Sequence, residues 1–491
     1  MLIGTFLKNF KCYQGTQFVP AYADASEKII GYLGDNGVGK SAVLEGLSVF
    51  FSKKGHWIRN KDSKKGASEC FVAPVFLVSR TLLSDIGNIQ RVEEISTTLL
   101  NNSQAPATVL ADQLLVCVAK REDGEITAYD GKKELDEPLD KEIAQQIYQK
   151  VTNSYKFIYI NAEIDIDEEA KINSNIYEII IGSPITAEVE EKFKEINESE
   201  NFVRDLNATL ERLIEEKLVS HLKSIDERYS YGGSRGALAN LTTNVLARAS
   251  TQAFLDSRKL KLDNKQLDDL SSGQRRVALL DFIIAALEGK AFDQTKNLIF
   301  AIDEPEISLD ASKKMGQFEK LIQIAGKEIS VMFTSHWYGW TVNTDVGRSV
   351  FIADGEDNRK EIRTYLNSAF PFQDTPKYEM RMIFDFLMSL GAVVEANPTK
   401  KYIICEGLTD SLFLSAALND ARYKIIPVTK ARVKRIADIF RDYYWREASP
   451  LRNVLFLVDT DPEQADTYKN NPYLKRWIKK HDFSVTLASN A

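Results

Sequence analysis

The stretch Gly34-Asp35-Asn36-Gly37-Val38-Gly39-Lys40-Ser41 fits G-x-x-x-x-G-K-[ST] and constrains this chain more than any other feature. It follows the apolar run Ile29–Leu33 and opens an amphipathic segment over residues 42–50. Strand, glycine-rich turn and helix in that order form a phosphate cradle. The glycines let backbone N–H groups curl round anionic oxygens, and the helix N-terminus adds a favourable dipole. Gly34, Asn36, Gly37 and Gly39 shape the cradle, Lys40 reaches outer phosphates, and Ser41 is placed to hold Mg²⁺. Such a unit belongs at the C-terminal edge of a parallel α/β sheet.

A second motif supports the first. Residues 298–302 are apolar and run into Asp303 and Glu304. Asp303 is placed to bind Mg²⁺ through water and Glu304 to polarise an attacking water. Between the two motifs lies Leu270-Ser271-Ser272-Gly273-Gln274, and the apolar run at 329–333 leads into Thr334-Ser335-His336.

The rest of the sequence bounds the class. At 491 residues, two or three domains are expected. Hydrophobic residues make 44% and charged residues 27%, which excludes a largely disordered or a collagen-like chain. The best candidate for a membrane span, residues 277–287, is short and contains Asp281, so no span is expected. The opening MLIGTFLKNFKCYQG lacks the pattern of a secretory signal. Cys12, Cys70, Cys117 and Cys405 are scattered singly, which suits a reducing cytoplasm. With four dispersed histidines, a His-rich zinc site is not expected. The net charge of -7 leaves nucleic-acid binding to local basic patches and metal ions.

Strand-like runs at 29–33, 157–160, 298–302 and 329–333 alternate with helical patterns and indicate an α/β fold. From 187 to 228 the pattern becomes long, charged and helical, with Val203, Leu206, Leu210 and Leu213 at heptad-like spacing. Two readings stay open: a helix packed on its own domain, or an insertion that contacts a second subunit. The Gly-rich stretch 232–236 breaks that pattern. A further break at 366–398 holds Pro371, Pro376 and Pro398, with one helical piece at 378–390. Beyond it, strands at 402–405, 424–428 and 454–458 alternate with helices at 411–418 and 430–444, which reads as a separate C-terminal domain. The expected boundaries are therefore 1–365 with an insertion at about 187–260, a connector at 366–398, and a last domain at 399–491.

Taken together, these motifs resemble an ABC-type ATPase of the branch that includes SMC, RecF, RecN and the OLD proteins. Leu7-Lys8-Asn9-Phe10-Lys11 is similar to the first strand of that branch, LSSGQ to its signature, and Ile307-Ser308-Leu309-Asp310 to its D-loop. His336 matches the switch histidine that contacts the γ-phosphate. The resemblance implies ATP and Mg²⁺ as cofactors. It also implies a composite site in which Ser271, Gly273 and Gln274 of one subunit cover ATP on the Walker motifs of another. A homodimer or a higher even oligomer is then expected.

In the C-terminal part, Tyr402–Cys405 runs into Glu406-Gly407-Leu408-Thr409-Asp410, and residues 454–458 run into Asp459-Thr460-Asp461. Parallel strands of one sheet would bring these carboxylates to one edge. Four acids so placed repel one another, and a divalent metal resolves the conflict. The spacing resembles the Toprim domain, and an ABC-type ATPase followed by Toprim is the arrangement of the OLD family. By that resemblance Glu406 acts as general base or metal ligand, and Asp410, Asp459 and Asp461 bind Mg²⁺ or Mn²⁺. Toprim-like domains of this family continue well past their last aspartates, so this one reads as minimal or incomplete, with Lys475, Lys479 and Lys480 as candidates for a further basic residue. Lys430, Arg432, Lys434 and Arg435, near Tyr443, Tyr444 and Trp445, are the candidate nucleic-acid contacts. Lys53, Lys54, Arg59, Lys61, Lys64 and Lys65 form a second basic stretch. The plain alternative for either is a solvated charged surface.

The expected function is an ATP-regulated, metal-dependent DNA endonuclease of bacterial antiphage defence, as in Gabija or retron systems. A companion is expected with it, a helicase-like protein or a reverse transcriptase with its nucleic acid. The alternatives are an ATP-driven DNA clamp or sensor of SMC or RecF type, and an RNA-cleaving toxin.

Overall fold

A computed structural model describes residues 1–24, 26–52, 57–61, 70–102, 109–161, 183–216, 241–256, 261–262, 265–266, 269–288, 297–327, 329–341, 347–367, 376–406, 408–420, 422–428, 433, 436–440, 453–459, 474–479 and 485–488. The chain divides into two compact units. One comprises Met1–Ala162 with Lys296–Ala491, and the other is Glu163–Thr295.

The first unit begins with β1 (Leu2–Lys8), paired antiparallel with β2 (Thr16–Pro20). The strand stops at Lys8. Asn9 and Lys11 take left-handed backbone conformations (φ 51° for both), so the LKNFK motif straddles a strand end and a turn. β3 (Ile29–Leu33) is buried at every residue and feeds the phosphate loop and α1 (Lys40–Phe51). Next come β4 (Phe71–Ser79), α2 (Ile89–Asn102), β5 (Gln113–Arg121), β6 (Ile126–Tyr129), β7 (Glu134–Leu135), α3 (Pro138–Ser154) and β8 (Tyr155–Ile160). Six of these strands form an antiparallel sheet in the order β2-β1-β4-β5-β6-β7. Helix α1 carries too little polar surface to lie on water. Leu44, Leu47 and Phe50 share one core with Leu7, Val72 and Phe76 of this sheet and with Ile30, Ile299 and Met332 of the next. A Cβ on Gly46 would come within 2.9 Å of Leu7, so the helix lies directly on β1.

Among its described residues the second unit is mainly helical. It contains α4 (Ser183–Glu200), α5 (Phe202–Ile214), α6 (Thr243–Asp256), a short antiparallel pair of β9 (Lys261–Leu262) with β10 (Lys265–Gln266), and α7 (Ser272–Glu288). The helical stretch expected over 187–228 is broken at Asn201, whose left-handed conformation (φ 51°, ψ 29°) turns the chain, and residues 217–228 lie outside the described residues. Asn tolerates that region better than other L-residues, and nothing in the charge pattern marks the break. Leu210 and Leu213 of the heptad-like set remain 39% and 38% exposed, while Val203 and Leu206 are half-buried. Asn207 ties α5 to the approach to α6, donating to Leu241 O (2.9 Å) and accepting from Leu241 N (2.9 Å). The glycine-rich stretch 232–236 lies outside the described residues.

The chain returns to the first unit as β11 (Asn297–Ile302), α8 (Ala311–Ala325), β12 (Ser330–Ser335), β13 (Arg348–Asp354) and β14 (Lys360–Leu366). With β3 and β8 these strands make a sheet ordered β14-β13-β3-β12-β11-β8, parallel throughout except for β14 at its edge. The expected connector at 366–398 is largely one helix, α9 (Pro376–Ala396), longer at both ends than the expected piece. It buries Met382, Ile383, Phe386, Leu387, Leu390 and Val394, a stripe with helical spacing. A last sheet, ordered β16-β15-β17-β18-β19, comprises β15 (Lys401–Glu406), β16 (Tyr423–Val428), β17 (Val454–Asp459), β18 (Leu474–Lys479) and β19 (Val485–Ala488), with α10 (Leu408–Leu418) after β15. Among the described residues no helix is long and apolar enough to cross a membrane. All four cysteines are unbridged.

Candidate functional site

Three adjacent parallel strands, β3, β12 and β11, deliver the phosphate loop, His336 and the pair Asp303–Glu304 to one sheet edge. Parallel pairing makes this convergence automatic, because every C-terminal strand end lies on the same side. A cleft of about 390 Å³ opens there, lined by Lys11, Cys12, Asn36, Gly37, Gly39, Lys40, Ser41, Ala42, Glu304 and His336. Gly39 has φ +107°, and a Cβ there would meet Cys12 Sγ at 2.6 Å, so both space and backbone demand glycine. At Gly34 a Cβ would meet the carbonyl of Ile352 at 2.2 Å.

Lys40 is buried, and its Nζ donates to Gly34 O (3.2 Å) and Asp35 O (2.9 Å). The loop is thereby wrapped round its own cation. Burial pulls the Lys40 ammonium below its usual range, and the carboxylates of Glu304, Asp303, Glu306 and Asp35 oppose that pull. Ser41 Oγ donates to Asp303 Oδ1 (2.8 Å), and Thr334 Oγ1 donates to the same carboxylate. Burial raises the Asp303 carboxyl, and these two donors counteract it. A hydroxyl and a carboxylate side by side are hard oxygen donors and fit Mg²⁺.

His336 Nε2 lies 2.9 Å from Lys40 Nζ and 2.9 Å from Glu304 Oε1. One ring nitrogen cannot accept from the lysine and donate to the carboxylate at once, so these contacts require opposite protonation of Nε2. Glu304 has φ 42°, and its N–H donates to Thr334 Oγ1 (3.0 Å). The side chain that could orient water is therefore held by a strained backbone fixed to the neighbouring strand.

Glu306 was not singled out by the sequence reading. It is buried, and its Oε1 accepts from Ser335 Oγ (2.7 Å), His336 N (2.7 Å) and Trp337 N (3.2 Å). The carboxylate thus organises the turn that carries His336, and burial raises its pKa. The signal was present in Asp303-Glu304-Pro305-Glu306, but a second glutamate after a proline reads as a solvated turn. Asp385 and Arg381 were also missed, since no motif marks them, and the cleft residues Lys11 and Cys12 were read only as the end of the LKNFK motif and as a dispersed cysteine.

In the second unit, α7 starts at Ser272, within the LSSGQ stretch. Ser271 N donates to Gln274 Oε1 (3.2 Å), and Gln274 N donates to Ser271 Oγ (3.4 Å). This reciprocal pair is a capping box, so Ser271 and Gln274 satisfy two backbone donors at the start of their own helix. Both remain exposed, and Gly273 is buried.

In the C-terminal sheet, β15 and β17 are hydrogen-bonded parallel neighbours. Glu406 is the last residue of β15 and Asp459 the last of β17, so the backbone brings them to one edge. Asp410 lies in the first turn of α10 and is 2% exposed. Asp461, Lys430, Arg432, Lys434, Arg435, Tyr443, Tyr444, Trp445 and Lys480 lie outside the described residues, as do Lys53, Lys54, Lys64 and Lys65. Arg59 of the second basic stretch is ion-paired with Glu122, which lowers its value as a nucleic-acid contact. Among the described residues, no group of three or more His, Cys, Asp or Glu side chains is arranged to hold a metal ion.

The model of the AAA ATPase domain family matches residues 5–337, well over half of the chain. The chain belongs to that family. The AAA ATPase domain thus spans the phosphate loop, the Asp303–Glu304 pair and His336, together with the inserted helical unit. A comparison with curated proteins gives no match. Among solved structures, an SMC head bound to the C-winged helix domain of ScpA is 14% identical (TM-score 0.38) and covers 74% of this chain and 98% of its own. The SMC head domain from Thermotoga maritima is 13% identical (TM-score 0.33; 74% and 98% covered). The recombination mediator protein RecF with ATP is 15% identical (TM-score 0.32; 74% and 99% covered). All three superpositions are loose.

Proposed function

We propose that this AAA ATPase domain protein hydrolyses ATP and that its nucleotide state governs metal-dependent cleavage of DNA by the C-terminal sheet. The observation that carries the ATPase half is the contact chain Ser41–Asp303–Thr334 beside Lys40–His336–Glu304. Lys40 and the loop amides hold the phosphates. Mg²⁺ held by Ser41 and Asp303 would neutralise charge on the outer phosphates. Glu304 orients the attacking water and takes its proton. His336 contacts the transferred phosphoryl group, and Glu306 keeps the histidine turn in place.

The cleavage half rests on Glu406 and Asp459 at the ends of adjacent parallel strands, with Asp410 buried beside that edge. A divalent ion there would supply charge neutralisation for phosphodiester attack. In this reading Glu406 is general base or ligand, Asp410, Asp459 and Asp461 are ligands, and Lys430, Arg432, Lys434 and Arg435 meet the DNA backbone. The protein acts as a dimer, with Ser271, Gly273 and Gln274 of each copy covering ATP on the other. We place it in antiphage defence beside a companion that senses infection.

A second reading keeps the ATPase and drops the cleavage, leaving an ATP-driven DNA clamp. It asks nothing of the C-terminal acids, of which Asp461 lies outside the described residues. Plasmid DNA incubated with Mg²⁺ or Mn²⁺, with and without ATP, separates the two. Cutting that disappears in Glu406→Ala supports the nuclease. No cutting by the wild type, with nucleotide-dependent DNA retention, supports the clamp. Preference for tRNA over DNA would favour an RNA-cleaving toxin.

A further inference from the structure

The helix α9 touches the nucleotide site at two points. Arg381 Nη1 donates to Asp35 Oδ1 in the phosphate loop (3.1 Å). The same guanidinium stacks over the ring of Tyr338, 4.3 Å from its centroid. One turn further along α9, Asp385 Oδ2 accepts from Tyr338 N (2.9 Å), and Asp385 O accepts from the indole N–H of Trp337 (3.2 Å). Trp337 and Tyr338 directly follow His336. The histidine turn is therefore gripped from two sides, by Glu306 next to the catalytic strand and by Asp385 on α9.

The far end of α9 is fastened to the C-terminal sheet. Tyr402 Oη, on β15, donates to Val393 O (3.1 Å). Asn453, just before β17, donates through Nδ2 to Pro398 O (2.7 Å). These are the two strands that end in Glu406 and Asp459. Between Arg381 and Val393 the helix spans about 18 Å and is braced by its buried apolar stripe. A packed helix moves as a rod, so a shift at one end reappears at the other.

We propose that Arg381 and Asp385 are positioning residues of the nucleotide site, and that through them α9 relays the site's occupancy to the strands β15 and β17. This rests on the nucleotide-binding reading above. When His336 engages an outer phosphate, Trp337 and Tyr338 move with it; Asp385 holds that turn against α9, and Arg381, stacked on Tyr338 and bonded to Asp35, supplies the coupling that makes α9 follow. Arg381 reports the phosphate loop through Asp35 by the same rod.

Hydrogen exchange read by mass spectrometry on the full chain tests this, with and without ATPγS and Mg²⁺, for wild type, Arg381→Gln and Arg381→Lys. Arg381 is 42% exposed, so neither substitution opens a cavity. Nucleotide should protect residues 34–41 in all three proteins. It should alter exchange at 385–396 and 401–406 in wild type, lose that distal change in Arg381→Gln, and recover part of it in Arg381→Lys. For ATP hydrolysis, Arg381→Gln should leave KM within about threefold while kcat falls. A distal change that persists in Arg381→Gln overturns the relay, as does a wild type protected at 34–41 with nothing altered at 385–406. Loss of protection at 34–41 in Arg381→Gln would make Arg381 a nucleotide ligand instead. No protection at 34–41 in wild type would overturn the nucleotide reading itself, and the relay with it.

Discussion

Glu304 and Glu306 are two residues apart and carry opposite burdens. Glu304 faces the cleft beside His336, whereas Glu306 is enclosed and saturates Oε1 with three donors. Glu304→Gln should retain ATP binding and lower kcat by about 10²–10⁴-fold, the usual worth of a positioned base. Phosphate release and nucleotide titration check this together, and equal turnover in both proteins would remove Glu304 from the mechanism. Lys40→Ala should abolish nucleotide binding in the same titration. Glu306→Ala should cost on the order of 3 kcal/mol, because three buried donors lose their acceptor. Its pH signature has a definite sign. Burial raises the Glu306 carboxyl in the folded protein, so its contribution to stability is fully present below the unfolded pKa and is lost as pH rises through the folded value. Urea midpoints measured from acid to neutral pH should therefore change less in Glu306→Gln than in wild type.

Elements differ in how plainly the sequence announces them. β3, β11, β12, β15 and β17 were all legible, because buried parallel strands read as unbroken apolar runs ending in polar residues. The same logic exposed the phosphate loop, Asp303, His336 and the two C-terminal acids at strand ends. The break at Asn201 was not legible, since one left-handed residue leaves hydrophobic spacing intact on either side. Nor was the full length of α9 or its grip on the histidine turn, because Arg381 and Asp385 look like ordinary surface charges until the fold brings Tyr338 beside them. Lys120 is a further case. It sits in β5, yet its buried ammonium donates to Val49 O (2.9 Å) and Phe50 O (3.2 Å), and also to Ser52 O. It thus satisfies the last carbonyls of the helix that begins at the phosphate loop. Lys120→Met should keep the packing of the stem and lose about 2 kcal/mol of stability, read as a lowered urea midpoint.

At the scale of the whole molecule, one chain carries one phosphate loop and one LSSGQ helix start, in different compact units. If Ser271 covers ATP on a partner copy, Ser271→Arg and Lys40→Ala variants are each inactive alone. Mixed, they should recover part of the wild-type ATPase rate by forming one intact site per dimer. A mixture no more active than its parts would show that each copy works alone. The order of strands in the central sheet has another consequence, one that belongs to synthesis. β3 and the phosphate loop are made before the inserted unit, but both hydrogen-bonded neighbours of β3, β12 and β13, are made after it. The antiparallel sheet, all of whose strands precede that insertion, can assemble while translation continues. The nucleotide site cannot: until β12 emerges, Lys40 has no His336 beside it and Ser41 no Thr334-anchored aspartate. A nascent chain therefore has no working ATPase until the strands that follow the insertion have appeared.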